Sequence, residues 1–136
     1  MAANTSPIFS KVGVINWGSA ATANTALDGT GTVATIFTAD ATNGGRVERI
    51  RLVHLGTNIA TVVRFFINNG STNTSAANNS LFYETTMAAN TLSQTAASVM
   101  QELAMALALP PGYKILMTVG TTIAAGIEAT VIGGSY

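Results

Sequence analysis

Hydrophobic and polar positions alternate with a period of two in several short runs. Residues 113–119 place Tyr113, Ile115, Met117 and Val119 on one face. Residues 126–132 place Ile127, Ala129 and Val131 on one face and Glu128 and Thr130 on the other. Residues 32–38 alternate Val33, Thr35 and Phe37 with Thr32, Ala34, Ile36 and Thr38. Side chains leave a strand on alternate faces, so this period predicts strands. Further runs rich in Val, Ile, Thr and Phe predict strands over residues 11–17, 46–55, 61–68 and 81–86.

Residues 99–107 are harder. Good helix formers dominate, and Val99, Leu103 and Leu107 are four apart. Leu103, Met105, Leu107 and Leu109, however, alternate with Ala104, Ala106 and Ala108. Large against small at period two favours a strand facing a core.

Turn chemistry punctuates these runs: Asp28-Gly29, Asn43-Gly44-Gly45, Gly56-Thr57-Asn58, Asn69-Gly70, Asn78-Asn79, Pro110-Pro111-Gly112 and Gly133-Gly134. Gly and Asn tolerate positive φ and Pro fixes φ, so each marks a bend. Residues 71–80 form a Ser/Thr/Asn/Ala loop without periodicity, expected on the surface. The prediction is an all-β, two-sheet sandwich of about eight antiparallel strands. Jelly roll is the preferred topology and an immunoglobulin-like sandwich the runner-up, since strand count does not separate them. Residues 1–10 read as an extended N-terminal arm and residues 11–136 as a single domain.

Composition narrows the function. The 136 residues are 48% hydrophobic but only 9% charged, and the six cations balance six anions. Ala, Thr, Gly, Asn and Ser make up more than half the chain, so much of that hydrophobicity is alanine. A neutral, charge-poor chain has no basic footprint for nucleic acid or for a membrane surface, so neither is an expected partner. Nothing long-range keeps copies apart, so docking and self-association are easy. There is no cysteine, hence no disulfide, thiolate metal site or thiol nucleophile. Residues 1–7 lack a basic segment followed by an apolar stretch and do not read as a secretory signal.

Candidate chemistry is sparse, and the expectation is no enzyme, no catalytic residue, no metal and no cofactor. His54 is the single imidazole; a catalytic histidine needs a nucleophile or carboxylate partner, and its favoured reading is structural. Asp28, Asp40, Glu48, Glu84, Glu102 and Glu128 are isolated in sequence and read as solvated strand faces and turns. Gly29-Thr30-Gly31 and Gly44-Gly45 lack the lysine and following helix of a phosphate loop. Asn4, Asn69, Asn73 and Asn78 meet the glycosylation pattern by chance in so Asn- and Thr-rich a chain.

Two groups are candidate protein interfaces. Arg46, Arg49, Arg51 and Arg64 are four of the six cations and make one basic stripe if the third and fourth strands are neighbours. They read equally as ion pairs with Glu48 and other acids or as a docking patch for an acidic protein surface. With Ile50, Leu52 and His54 on one face of the third strand, Arg49, Arg51 and Val53 take the other. Pro7, Ile8 and Phe9 end the arm, and Ile8 and Phe9 either cap the domain's own core or reach onto a neighbour.

Residues 45–136 carry a resemblance. Arg46-Val47-Glu48-Arg49-Ile50-Arg51-Leu52 is followed by Gly56-Thr57-Asn58 and by Ala60-Thr61-Val62-Val63-Arg64-Phe65-Phe66-Ile67-Asn68-Asn69-Gly70. Leu109-Pro110-Pro111-Gly112-Tyr113-Lys114 introduces a later strand, and Gly133-Gly134-Ser135-Tyr136 closes the series. This series resembles small virion proteins of tailed bacteriophages, notably the jelly-roll decoration or cement proteins that coat capsids. The resemblance implies a structural protein on the outer surface of the virion, made in the host cytoplasm. It implies as partners the major capsid protein and further copies of itself, as dimers or trimers at symmetry positions. The alternative is a tail- or fibre-associated sandwich that binds host surface glycan, with Trp17, Phe82 and Tyr83 as candidate aromatics.

Overall fold

The computed structural model describes residues 10–136. Pro7, Ile8 and Phe9 of the expected arm lie outside the described residues. Eight strands follow in order: β1 (Val12–Ala20), β2 (Ala34–Thr38), β3 (Gly45–His54), β4 (Thr61–Asn68), β5 (Asn79–Met87), β6 (Met100–Leu109), β7 (Lys114–Val119) and β8 (Ile127–Ser135). Each of the eight expected strands is present. Residues 99–107 are strand and not helix, and the leucines and methionine are less exposed than the alanines between them.

The strands form two antiparallel sheets, ordered β1-β8-β3-β6 and β2-β7-β4-β5. The pairs β1:β8, β2:β7, β3:β6 and β4:β5 are those of one long hairpin with its tip between β4 and β5. Rolling that hairpin up brings β8 beside β3 and β7 beside β4, and the product is a jelly roll. The inner faces enclose one core, in which Val47, Ile50, Leu52, Phe65, Met117 and Val131 are fully buried.

The two long edges of the sandwich are linked differently. At one, a Cβ on Gly18 of β1 would sit 3.2 Å from the Ile36 side chain, so glycine lets β1 and β2 converge. At the other, Gln101 of β6 donates to the Thr86 carbonyl at 2.6 Å and its Oε1 accepts from the Thr85 hydroxyl at 2.7 Å.

Three features depart from simple alternation. Ile36 and Phe37 are both buried, because the β2–β7 register slips between Thr35 and Phe37. Such a bulge lets two consecutive residues serve one face. Gly133-Gly134, expected as a turn, lies inside β8, between β1 and β3. There the Arg46 carbonyl approaches so closely that only glycine fits, so the pair marks a backbone contact and not a bend. Residues 21–33 do not loop out into solvent. Asn24 N–H binds the Val119 carbonyl on β7, and the Asn79 amide on β5 binds the Asp28 carbonyl. The segment therefore straps the outer face of the second sheet, where Phe66 and Leu116 are buried beneath it. Residues 71–80 are the strap's anchor: the Asn73 amide donates to the carbonyls of both Gly29 and Gly31.

On the β6 edge, Ala106 has φ +47° where the β3–β6 register slips. The left-handed region costs an L residue about 1–2 kcal/mol. Ala106→Gly is expected to stabilise the fold by up to about 1 kcal/mol after glycine's greater unfolded-state freedom is offset. Ala104→Gly, on ordinary strand backbone, is expected to cost about 0.5–1 kcal/mol. Urea midpoints of the two variants check this, and a loss of stability at Ala106→Gly would contradict the strain.

Candidate docking face

The outer face of the β1-β8-β3-β6 sheet collects three of the four sequence-predicted arginines, Arg46, Arg49 and Arg51. On β3, Ile50, Leu52 and His54 are buried, so Arg49 and Arg51 point outward as the alternation required. The register sets Glu102 of β6 opposite Arg51, and its two oxygens divide between the arginines: Oε1 accepts from Arg49 at 3.1 Å and Oε2 from Arg51 at 3.0 Å. Burial pushes the Glu102 carboxyl up, but the Arg49 hydrogen bond and the two guanidinium charges outweigh it and hold it below its ordinary value. Arg46 pairs with Glu48, which raises the guanidinium further above its ordinary value.

Arg64 does not join them. Consecutive strands β3 and β4 belong to different sheets, so Arg64 lies on the far side of the sandwich, paired with Glu84 at 3.1 Å. The expected single stripe is thus split. The part on β3 is also not basic, since Glu48, Glu102 and Glu128 lie on or beside it. Of the two readings of the arginines, ion pairing is what the geometry displays. Solvent screens exposed pairs of this kind, so they add little to stability.

The same face carries an apolar half that the arginine argument missed. On β1, Ile15 is 59% exposed and Trp17 65% exposed. The register puts Ile132 opposite Ile15 and Thr130 opposite Trp17 on β8, with Arg49 and Arg51 next across on β3. The face therefore runs from an exposed indole through isoleucines to fixed ion pairs. Alternation of Ile15 and Trp17 against Val14 and Asn16 was the available signal. Of the other candidate aromatics, Phe82 is half-buried with its ring centroid 6.5 Å from that of Phe65. Tyr83 is on β5, in the other sheet from Trp17.

His54 is engaged on both ring nitrogens. Asn58 Oδ1 accepts from the Ala125 N–H at 2.7 Å, which fixes the amide so that Nδ2 faces the ring. Nδ2 donates to His54 Nδ1 at 3.0 Å, so Nε2–H donates to the Ala88 carbonyl at 2.8 Å. Both ring nitrogens are thus held by loop residues, Asn58 on one side and Ala88 on the other. The Asp28 carboxylate is held below its ordinary value by the Thr30 hydroxyl and N–H, and that of Asp40 by the Asn43 and Thr42 N–H groups. Both serve turns, as their sequence context indicated. Among the described residues, no group of three or more His, Cys, Asp or Glu side chains is gathered to hold a metal ion.

The strand order defines a jelly-roll sandwich, and the outer face of its first sheet is charge-balanced. No family model and no curated protein matches the chain. A solved structure described as "Cyanophage Pam1 capsid asymmetric unit" is similar over 99% of this chain and 94% of that one, at 16% identity and a TM-score of 0.42.

Proposed function

We propose that the chain is a structural virion protein of a tailed phage, without a reaction of its own, that binds the outside of the capsid and bridges major capsid subunits. The observation that carries this is the exposed Trp17 on the same sheet face as the Arg49/Arg51–Glu102 pairs, one strand away from them. Tryptophan and arginine are the residues most enriched at the energetic centres of interfaces. Bridging acts by linkage: a protein that binds the assembled shell but not separate subunits stabilises the shell. The sequence resemblance over residues 45–136 supports the same reading. Trp17 and Tyr83 lie on different sheets and form no common aromatic platform for a glycan.

The test is binding to capsids of the source phage that lack this protein. Wild-type chain is expected to load in copy numbers near that of the major capsid protein and to raise the temperature at which the shell opens. Trp17→Ala is expected to reduce loading at least tenfold at limiting concentration, the size of a hot-spot loss. Absence of loading by the wild type, or full loading by Trp17→Ala, would refute this face. Deleting residues 1–9 in parallel tests the arm.

A further inference from the structure

The chain holds two Asn-Gly pairs, Asn43-Gly44 and Asn69-Gly70. Glycine has no Cβ to shield its nitrogen, so an asparagine just before it is open to attack by the next backbone amide. Both glycine N–H groups are hydrogen-bonded, Gly44 to the Asp40 carbonyl at 3.0 Å and Gly70 to Asn68 Oδ1 at 2.8 Å. The turn must therefore open locally in either pair before its nitrogen can react. The side chains separate the two. Asn69 is held at both ends of its amide: Nδ2 donates to Asn78 Oδ1 at 3.2 Å, and Oδ1 accepts from the Ser71 N–H at 3.1 Å. Asn43 is exposed in the turn between β2 and β3, where its backbone N–H donates to Asp40 Oδ1 at 2.7 Å. Its side chain makes no hydrogen bond among the described residues.

We propose that Asn43 is a site of spontaneous modification, where the side chain closes on the Gly44 nitrogen to a succinimide that water reopens as aspartate or isoaspartate. The Gly44 amide gives up its proton to solvent base, and its nitrogen forms a bond to the Asn43 side-chain carbonyl carbon. The bond from that carbon to the side-chain nitrogen breaks, and the nitrogen leaves as ammonia with a proton from water. Water then adds to one of the two ring carbonyls and opens the ring. Water is the only co-reactant, and nothing is oxidised or reduced.

The turn has no slack for the isoaspartate product. Isoaspartate carries the main chain through its side chain, which adds a methylene between residues 43 and 44. One Asp40 oxygen already binds the N–H groups of both Thr42 and Asn43. A Cβ on Gly44 would sit 2.6 Å from the Leu109 carbonyl, so Gly44 is seated against the end of β6. The Gly44 carbonyl also accepts from the Tyr136 N–H at 3.4 Å. The aspartate product keeps the backbone but sets a second carboxylate in the turn of Asp40. Either product adds a negative charge to a chain whose charges sum to zero.

The test ages the full chain at mildly alkaline pH and follows it by peptide mass mapping, with isoaspartate counted by enzymatic methylation. The peptide containing Asn43 is expected to gain one mass unit about tenfold faster than the peptide containing Asn69, the factor two hydrogen bonds to be broken would supply. Both aspartate and isoaspartate are expected at residue 43. Asn43→Ser is expected to remove that gain, and aged Asn43→Ser protein to keep its urea midpoint while aged wild type loses part of its own. Asn78→Ala, which frees one end of the Asn69 amide, is expected to narrow the difference between the sites. Equal rates at the two sites, a faster Asn69, or aspartate without isoaspartate at residue 43 would each overturn the proposal. So would an Asn43 that stays intact in the folded chain while a free peptide of residues 40–47 converts.

Discussion

Gly133→Ala is expected to be the most damaging single methyl added to this protein. A Cβ at that position would overlap the Arg46 carbonyl oxygen and stand 3.0 Å from its carbon and 3.1 Å from Val47 Cα. All three are backbone atoms, so no rotamer change relieves the contact. The β3–β8 ladder must open instead, at the point where the β3 register slips between Val47 and Arg49. β8 is hydrogen-bonded on both sides, to β1 and to β3, so it has nowhere to move. Overpacking of this kind costs about 3 kcal/mol or more. Gly13→Ala is the control: it lies on β1 of the same sheet, a Cβ there meets nothing within 4 Å, and it is expected to be neutral or slightly stabilising. Urea denaturation of both variants measures the difference. Equal midpoints would mean that the Arg46 carbonyl does not close over Gly133.

That glycine also shows why part of the fold was hidden in the sequence. Alternation is local, so it exposed the strands: Ile127, Ala129 and Val131 turn inward and Glu128 and Thr130 outward without reference to anything distant. It also placed Arg49 and Arg51 outside and Ile50 and Leu52 inside. What it does not carry is the partner. Gly-Gly reads as a turn unless the carbonyl of a residue 87 positions earlier is known to lie over it. Glu102 joins Arg49 and Arg51 across 53 and 51 residues, and only the β3–β6 register brings it there. Arg64 was grouped with the wrong neighbours for a topological reason: in a jelly roll, β3 and β4 are consecutive in sequence and belong to opposite sheets. The Ile36 bulge broke a pattern that sequence could only continue. The asparagines were least legible of all. As local signals they mean bends, yet Asn73, Asn79, Asn58 and Asn90 each cross between segments with their amides. In a chain with few charges, neutral amides supply the long-range polar contacts.

Asn58→Ala is the expected large loss that follows from this. Asn58 is buried and its amide serves three partners: the Ala125 N–H, the Gly126 carbonyl at 2.8 Å and His54 Nδ1. Alanine leaves the Ala125 N–H and His54 Nδ1 without a partner, while the Gly126 carbonyl keeps the Leu55 N–H at 3.0 Å. An unsatisfied buried polar group costs about 1–3 kcal/mol, and partial hydration at the end of the sandwich offsets some of it, so a total near 3 kcal/mol is expected. Asn90→Ala removes the matching bonds to the Gly56 carbonyl and the Val99 N–H and is expected to cost about 2 kcal/mol. Because Asn58 and Asn90 also exchange backbone bonds, their effects are coupled. The double variant is expected to lose at least about 0.5 kcal/mol less than the sum of the single losses. Chemical denaturation of the four proteins gives this cycle directly. Additive losses would mean that the loops are held independently. A cost below about 1 kcal/mol for Asn58→Ala would mean that water replaces the amide.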